Sequence, residues 1–273
     1  MLLIGLTGSI ATGKSTVSLL LSSPPYNLPL IDADLLARRV VEPGTTGYHK
    51  IVTYFSPTTP DLILPASEVG ENGPDGKGRP LNRPALGRRV FGNTLERQKD
   101  RAILNKIVHP AVRWEMYKSL LKSYFRGYQA VVLDVPLLFE AGMDLLCGTV
   151  MVVAVSDPEI QMKRLRDRDP HLTEEDARNR VASQWDVRDK ARRAEMRGEG
   201  AGVVVWNDGD KDDLKRELEK IMMKIQQKNP KWWSWLLLIV PPFGGLAAMY
   251  QFLRSWLMAR RWKDMKAKER SKL

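Results

Sequence analysis

One stretch near the start of the chain constrains its fold more than any other. Residues 8–15 read Gly-Ser-Ile-Ala-Thr-Gly-Lys-Ser, which is the spacing G-x-x-x-x-G-K-[ST]. The apolar residues 2–6 before it predict a buried strand, and residues 16–21 after it predict a helix. Because glycines permit a tight turn whose N–H groups converge at a helix N-terminus, this context indicates a phosphate-binding loop. The alternative is an ordinary glycine-rich turn.

The residue types in this loop predict how it would bind the phosphates of a nucleotide, and kinases, GTPases and ATPases share such a loop. Lys14 would reach the β- and γ-phosphates, and the Ser15 hydroxyl would hold Mg²⁺. The backbone N–H groups would bind phosphate oxygens. The predicted nucleotide-binding residues of the loop are Gly8, Ser9, Ile10, Ala11, Thr12, Gly13, Lys14, Ser15 and Thr16.

Short apolar segments alternate with helical ones along the chain and predict an α/β fold. The predicted strands are residues 2–6, 28–31, 130–133, 149–155 and 203–205. Such an alternation predicts a parallel five-stranded sheet with helices on both faces. Residues 43–128 read as a mainly helical insert, in which His109-Pro110 is expected to interrupt one helix and Pro110 to begin the next.

Carboxylates follow two of the predicted strands. Asp32 and Asp34 come after the second strand, and Asp134 comes after the third. Open α/β sheets bind ligands at the carboxyl ends of their strands, so these side chains are candidates for a site. The other interpretation is that one aspartate caps the following helix. Both can hold, since one aspartate can cap while the other faces the site.

Two arginines further along suggest phosphoryl transfer. Arg164 and Arg168 are four residues apart and share one face of a predicted helix. Kinases need positive charge around the γ-phosphate, and small-molecule kinases deliver it from a mobile lid. The alternative is a solvated basic face that pairs with Asp167 and Asp169.

The charge of the chain is concentrated in its tail. The formal net charge is +11, of which residues 211–273 carry +9 and residues 1–210 only +2. This distribution argues against a core that binds nucleic acid and favours a tail near an anionic surface. The single cysteine, Cys147, is compatible with a reducing compartment, and the three histidines show no metal-ligand spacing.

Longer motifs make a specific family resemblance visible. Over about residues 1–225 the sequence resembles the dephospho-CoA kinases. The matching elements are residues 5–16, Ile31-Asp32-Ala33-Asp34 with Arg38, His109-Pro110, residues 134–140 (Asp-Val-Pro-Leu-Leu-Phe-Glu), residues 164–168, Arg180 with Gln184, and Asn207-Asp208-Gly209. The resemblance implies a P-loop kinase domain over residues 1–229, with the insert at about 43–128 binding substrate and a lid at about 164–184. It also implies transfer of the γ-phosphate of ATP to the ribose 3′-hydroxyl of dephospho-CoA.

The resemblance further implies roles for individual residues. Asp34 would be the general base or would organise the Mg²⁺ waters at the 3′-hydroxyl, with Asp32 beside it. Arg164 and Arg168 would be lid arginines, and Arg38 would pair with a substrate phosphate. Asn207 would lie at the adenine end of ATP. The dephospho-CoA side would be lined by His109, Leu138, Phe139 and Glu140.

Two departures from the family pattern lead to further expectations. Ala11 lies in a loop that often carries a glycine at this point, and we expect a negative φ because alanine tolerates a positive one poorly. Asn82 stands where the family has a carboxylate, which puts a role for that position in doubt. Two other classes stay open, a different small-metabolite or nucleotide kinase and a membrane-tethered nucleotide-binding scaffold without turnover.

Residues 230–273 lie beyond the resemblance and suggest a membrane-associating segment. Residues 232–253 carry no charge and would span about 33 Å as a straight helix. Tryptophans lie near both ends, basic residues flank the segment, and residues 241–245 read Pro-Pro-Phe-Gly-Gly. We expect a hairpin with this stretch at its tip, or an interfacial anchor, through residues 232–262 on the cytoplasmic face of an intracellular membrane. The alternative is a helix packed on the core.

Overall fold

The computed structural model describes residues 1–182, 185–229 and 241–271. The chain divides into two compact units. The first comprises Met1–Ile31 together with the chain from Lys122 onward, and the second comprises Asp32–Leu121. The predicted lid residue Gln184 and the tryptophans at positions 232, 233 and 235 lie outside the described residues.

The first unit is built on a parallel sheet. Its strands are β1 (Leu2–Gly8), β2 (Leu30–Asp32), β3 (Ala130–Asp134), β4 (Thr149–Ala154) and β5 (Gly202–Trp206), in the order β2-β3-β1-β4-β5. β1 pairs in parallel with both β3 and β4, and β4 pairs in parallel with β5. The predicted fold class is therefore confirmed. The strands share one carboxyl edge, where the predicted phosphate-binding loop follows β1.

Helices accompany the sheet in the first unit, and the first of them packs on β1 and β3. They are α1 (Lys14–Ser22), α7 (Pro158–Arg168), α8 (Glu174–Ala182), α9 (Val187–Glu195), α10 (Lys211–Lys228) and α11 (Pro241–Arg270). In α10, Leu214, Leu218, Ile221, Met222 and Ile225 are buried and join a core that includes β1 and α1. This is the amphipathic pattern of a helix with one face on the sheet.

The second unit is helical and lies mainly in the predicted insert. It contains α2 (Ala33–Arg39), α3 (Thr46–Phe55), α4 (Ala66–Val69), α5 (Arg83–Val90) and most of α6 (Leu95–Phe125). Its own core is formed by Tyr48, Ile51, Phe55, Leu62, Leu81 and Val90. Asn82, the departure from the family pattern, caps α5 by accepting a hydrogen bond from the Ala85 N–H.

The expected helix break at Pro110 is wrong. α6 continues through His109 and Pro110 without interruption. Proline in a helix interior loses one backbone hydrogen bond and crowds the carbonyl four residues earlier, which costs about 3 kcal/mol. On the preceding turns, Leu104, Ile107 and Val108 pack against the core of the second unit. This packing favours a helix on the amino side of the proline and offsets the local preference for a break.

The tail contains a long helix that packs on the first unit. In α11, Ser255 and Trp262 are almost fully buried, with relative exposures of 2% and 3%. The Pro-Pro-Phe-Gly-Gly stretch forms the first turns of this helix, where proline is tolerated because those N–H groups have no intrahelical acceptor. This stretch is helical, and residues 232–240, which would form the first arm of the expected hairpin, lie outside the described residues. Among the described residues, every helix is too short or too polar to cross a membrane.

Candidate active site

The loop after β1 has the backbone geometry that its glycines require. Gly13 has a φ of +93° and precedes α1 directly. A side chain at this position would collide with the Asn207 amide, which donates a hydrogen bond of 2.8 Å to the Thr12 carbonyl. Thr12 in turn donates through its hydroxyl to the Ser9 carbonyl at 2.9 Å. One hydrogen bond therefore links two residues within the loop, and another links the loop to the residue that follows β5.

Ala11 differs from the expectation. Its φ is +60°, in the left-handed region, so the predicted negative value is wrong. Alanine in this region costs roughly 1–2 kcal/mol because its Cβ approaches the following carbonyl oxygen. The neighbouring Ile10 carbonyl accepts a 2.7 Å hydrogen bond from the buried Gln161 side chain of α7. This contact holds the loop in the strained conformation from outside.

Lys14 has an anionic neighbour in the same unit. Its ammonium contacts the Asp134 carboxylate, and both side chains are largely buried. The register of the sheet explains the contact, because Leu6 of β1 lies opposite Asp134 of β3, so β3 ends beside the loop. The sequence marked Asp134 as a candidate by its place after a predicted strand but gave it no role. The signal was present, since a carboxylate at the end of the strand next to β1 is typical of P-loop proteins that bind Mg²⁺.

Oxygen donors suited to Mg²⁺ lie at this edge of the sheet. The Ser15 side chain is exposed on the first turn of α1, and Asp134 ends β3. Hydroxyl and carboxylate oxygens are the donors that Mg²⁺ prefers, and it binds through few protein ligands when phosphates supply the others. The residues therefore fit the ion that the motif predicts.

The predicted dephospho-CoA residues of the first unit are mostly buried. Leu138 is fully buried and Phe139 nearly so, and the Phe139 ring lies 4.6 Å from the Arg193 guanidinium carbon. Both carboxylate oxygens of Glu140 are also buried, and Glu140 pairs with Lys190 of α9 at 3.0 Å. In this conformation Leu138 and Phe139 belong to the interior of the unit, so their contact with substrate stays a prediction.

The two predicted lid arginines differ in their surroundings. Arg164 donates hydrogen bonds to the carbonyls of Asn207 at 2.8 Å and Gly209 at 3.1 Å, which ties α7 to the loop after β5. Arg168, one turn later, is more than half exposed and contacts only its neighbour Asp169 among the described residues. Arg164 is therefore held in place by the loop that carries Asn207, whereas Arg168 lies at the end of its helix with a weak ion pair.

The remaining predicted residues belong to the second unit. Asp32 is the N-cap of α2, and its carboxylate accepts hydrogen bonds from the N–H groups of Asp34 and Leu35 at 2.8 and 3.0 Å. Asp34 and Arg38 are exposed on the same helix, one turn apart. The sequence left open which aspartate caps and which is available to a ligand. The structure assigns the cap to Asp32. His109 is exposed on α6.

A buried charge cluster lies behind the site in the first unit. Asp144 is 1% exposed and contacts Arg193 at 3.0 Å and Arg197 at 3.5 Å. Burial raises the pKa of Asp144, and the two arginines oppose that shift. Burial also lowers the pKa of Arg197 and raises the pKa of Cys147 to about 12. The described residues contain no group of three or more side chains suited to hold a metal on their own.

Comparison with known proteins identifies the family of this site. The model of the dephospho-CoA kinase family matches residues 2–212. The dephospho-CoA kinase CAB5 of Saccharomyces cerevisiae is 40% identical over 260 residues, which cover 95% of this chain and 96% of the yeast protein. A dephospho-CoA kinase of Geobacillus kaustophilus is 42% identical over 221 residues, which cover 81% of this chain and 95% of that protein.

A solved structure agrees with these sequence relationships. The dephospho-CoA kinase from Campylobacter jejuni superposes with a TM-score of 0.59 and 26% identity, covering 83% of this chain and 98% of the other. The matched region includes the loop at residues 8–15, the Lys14–Asp134 contact and the strand ends that surround them. The chain therefore belongs to the dephospho-CoA kinase family.

Proposed function

We propose that the protein transfers the γ-phosphate of ATP to the ribose 3′-hydroxyl of dephospho-CoA, which yields coenzyme A and ADP. The observation that carries this proposal is the Lys14–Asp134 pair beside the loop at residues 8–15, in a chain of the dephospho-CoA kinase family. The loop supplies backbone N–H groups that can bind phosphate oxygens, and Lys14 supplies a positive charge. Transfer of a phosphoryl group requires both. Membership of the family supports dephospho-CoA as the acceptor.

In this mechanism the residues of the first unit hold ATP. The N–H groups of residues 8–16 bind the phosphates, and Lys14 balances the charge that develops on the γ-phosphoryl oxygens. Ser15 and Asp134 would hold Mg²⁺, which would neutralise charge on the ATP phosphates. Asn207 and Arg164 keep the adenine-side loop against the phosphate-binding loop, and Arg168 reaches the γ-phosphate from the lid.

Residues of the second unit act on the acceptor. Asp34 accepts the proton of the 3′-hydroxyl late in the reaction, because the transition state is loose and the oxygen becomes acidic only as the P–O bond forms. The Asp34 carboxylate is exposed and does not cap α2, so it suits this role. Arg38 and His109 contribute to binding of the substrate. Asp32 orients the start of α2 and thereby Asp34.

A direct assay tests the proposal. The full-length protein is incubated with ATP, Mg²⁺ and dephospho-CoA, and coenzyme A is measured by chromatography. Parallel reactions contain nucleoside monophosphates instead of dephospho-CoA. The proposal is supported if kcat/KM for dephospho-CoA is at least tenfold higher than kcat/KM for any of the nucleoside monophosphates. Preferred phosphorylation of a nucleotide, or ATP binding without turnover of any acceptor, contradicts it.

Substitutions of Asp34 and Asp32 together test whether Asp34 acts as the general base. We expect Asp34→Asn to lower kcat by at least about 100-fold, since general-base catalysis contributes about 10²–10⁴, with less than threefold change in the Kd for ATP. Asp32→Asn should cost less, because asparagine is as good an N-cap as aspartate. Steady-state kinetics and ATP titration measure both effects. Equal kcat in Asp34→Asn and the wild type would refute the assignment.

We further propose that the tail contacts the surface of a membrane on its cytoplasmic side, where ATP is available. Large apolar side chains form an exposed row along α11, each at least half exposed: Leu246, Met249, Tyr250, Leu253 and Leu257. Basic residues at positions 260, 261 and 263 follow this row, and the uncharged residues 232–240 precede the helix in the sequence. An apolar face with adjacent cations is typical of helices that lie in an anionic lipid interface.

Vesicle flotation tests the membrane proposal with the full-length protein. We expect co-flotation with vesicles that contain phosphatidylserine, weaker binding to pure phosphatidylcholine vesicles, and release as salt rises. The Met249→Glu/Leu253→Glu variant should lose binding. Met223→Glu, at a similarly exposed position on α10, is the control and should retain it. Wild-type protein that stays unbound to anionic vesicles at low salt would refute the proposal.

A further inference from the structure

Lys190 of α9 is a fully buried lysine, with a relative exposure of 0%. A buried ammonium is costly unless hydrogen-bond acceptors or an opposite charge compensate it. Here the ammonium donates a 3.0 Å hydrogen bond to the Pro136 carbonyl and lies 3.0 Å from Glu140 Oε1. Both partners belong to the segment that follows β3. We call residues 134–140 the β3 loop.

The β3 loop contacts the end of β1, just before the phosphate-binding loop, at the Pro136 carbonyl. This oxygen also accepts a 2.8 Å hydrogen bond from the hydroxyl of Thr7, the penultimate residue of β1. Two residues before Pro136, Asp134 contacts Lys14. Lys190 therefore fixes the β3 loop at the point where it leaves the strand, next to the residues that surround the ATP phosphates.

The far end of the β3 loop depends on the same lysine. The buried oxygens of Glu140 are compensated by the ion pair with Lys190. Removing one partner of a buried pair leaves the other charge without compensation, and the segment that carries it then relaxes. The start of α9 is itself anchored, because the Trp185 carbonyl accepts a 3.3 Å hydrogen bond from Ser9 Oγ. The helix thus holds Lys190 in a fixed place relative to both loops.

We infer that Lys190 is a positioning residue for phosphoryl transfer, which acts by holding the β3 loop so that Asp134 stays beside Lys14 and residues 138–140 keep their place. This inference rests on the proposed function, in which Asp134 helps to hold Mg²⁺. A misplacement of about 1 Å in a catalytic constellation can cost about 100-fold in rate. A lysine outside the nucleotide and substrate contacts would thereby control the reaction.

The central experiment replaces the ammonium and keeps the length of the side chain. We expect Lys190→Met, in the full-length protein, to lower kcat/KM for dephospho-CoA at least tenfold with less than threefold change in the Kd for ATP. Lys190→Arg, which retains the charge, should recover at least a third of the wild-type value. Lys215→Met removes an exposed lysine of α10 and is the control, with wild-type kinetics. A folded Lys190→Met protein with kcat/KM within threefold of the wild type would overturn the inference.

Two further measurements separate positioning from loss of fold. The Glu140→Gln variant keeps Lys190 and its bond to Pro136, so it serves if Lys190→Met fails to fold. We expect Glu140→Gln to lower kcat/KM at least threefold, and no change would count against the inference. In the double variant, the two losses should be less than multiplicative, because both remove the same ion pair. Fully multiplicative losses would mean that Lys190 and Glu140 act independently, contrary to the inference.

Hydrogen exchange tests the inference without any turnover. Amide exchange in residues 135–142 should accelerate in Lys190→Met without ATP or acceptor, while exchange in β4 stays unchanged. This readout distinguishes the two proposals. If wild-type protein forms no coenzyme A, the proposed function fails, whereas faster exchange would still place the lysine in control of the loop. Unchanged exchange in the β3 loop would refute the positioning role itself.

Discussion

At the scale of single residues, the site combines features that follow from residue type with features that depend on tertiary contacts. Lys14, Ser15 and the glycines could be assigned from spacing alone, because a strand, a tight turn and a helix N-terminus determine what they do. Asp134 was a candidate but received no role from the sequence, because that role depends on which strand pairs with β1, and that register is not local. Likewise, the motif predicted that the side chains of Leu138 and Phe139 would line the substrate site, but in the structure both side chains are buried.

The strained backbone at Ala11 leads to a prediction about stability. We expect Ala11→Gly to raise the free energy of unfolding by about 0.5–1 kcal/mol, since glycine removes the left-handed penalty but loses more entropy on folding. Urea denaturation measures the change. Ala111→Gly, inside α6, is the control and should instead lower stability by about 1 kcal/mol. A lower stability of Ala11→Gly would contradict the explanation.

At the scale of elements, the strands were predictable and the long helix was not. The five strands are short apolar segments, and four of them end near the residues where the sequence placed their ends. α6 was misjudged because a local signal, His109-Pro110, competes with packing of the segment before the proline, where Leu104, Ile107 and Val108 lie against the core of the second unit. A proline in a helix interior costs about 3 kcal/mol, and burial of several apolar side chains offsets a cost of that size.

The proline in α6 provides a test of this balance. Since Pro110 is exposed and interrupts the backbone hydrogen bonds of a continuous helix, we expect Pro110→Ala to increase stability by about 1–3 kcal/mol. Slower amide exchange in residues 106–114, at unchanged far-ultraviolet circular dichroism, would support a continuous helix. Pro84→Ala, at the first turn of α5, is the control and should change stability little. Faster exchange around residue 110 would indicate a break that the proline stabilises.

At the scale of the whole molecule, α11 belongs to the fold of the first unit as well as to a candidate membrane surface. The sequence showed an uncharged segment with basic flanks but could not show which side chains of the tail would be buried against the first unit. Trp262 and Ser255 are buried, while the row at Leu246, Met249 and Leu253 is exposed. Composition identifies amphipathic character, but the choice between core and interface depends on contacts of α11 with α9 and with the short 3-10 helix Met143–Leu146.

Ion pairs on the last turns of α11 make its docking pH-dependent. The hydrogen bond from Lys266 lowers the pKa of Glu269, and Lys266 also pairs with Asp189 of α9. A lowered pKa in the folded protein contributes stability above the unfolded value of about 4.5, and this stability is lost as pH falls through the folded value. We therefore expect exchange protection of residues 262–269 to fall as the pH drops below about 4.5.

The Glu269→Gln variant is the matched control for that titration. It should show weaker protection of the same residues at pH 7 and a smaller loss of protection on acidification, because the carboxylate that titrates is gone. Hydrogen exchange and thermal unfolding across the pH range measure both effects. An identical pH profile in wild type and variant would show that other groups control the docking of α11.

The buried guanidinium of Arg197 determines how this enzyme can be shortened. It donates to the carbonyls of Cys147 and Ala201 and to the Ser255 hydroxyl, so one of its acceptors comes from α11. The match to the model of the dephospho-CoA kinase family ends at residue 212, inside α10, although the yeast relative aligns over 95% of the chain. A fragment that ends there, or after α10, would lack the Ser255 acceptor and would expose the Arg197 guanidinium. Expression of a minimal catalytic fragment will therefore need α11, or a redesigned side chain at position 197.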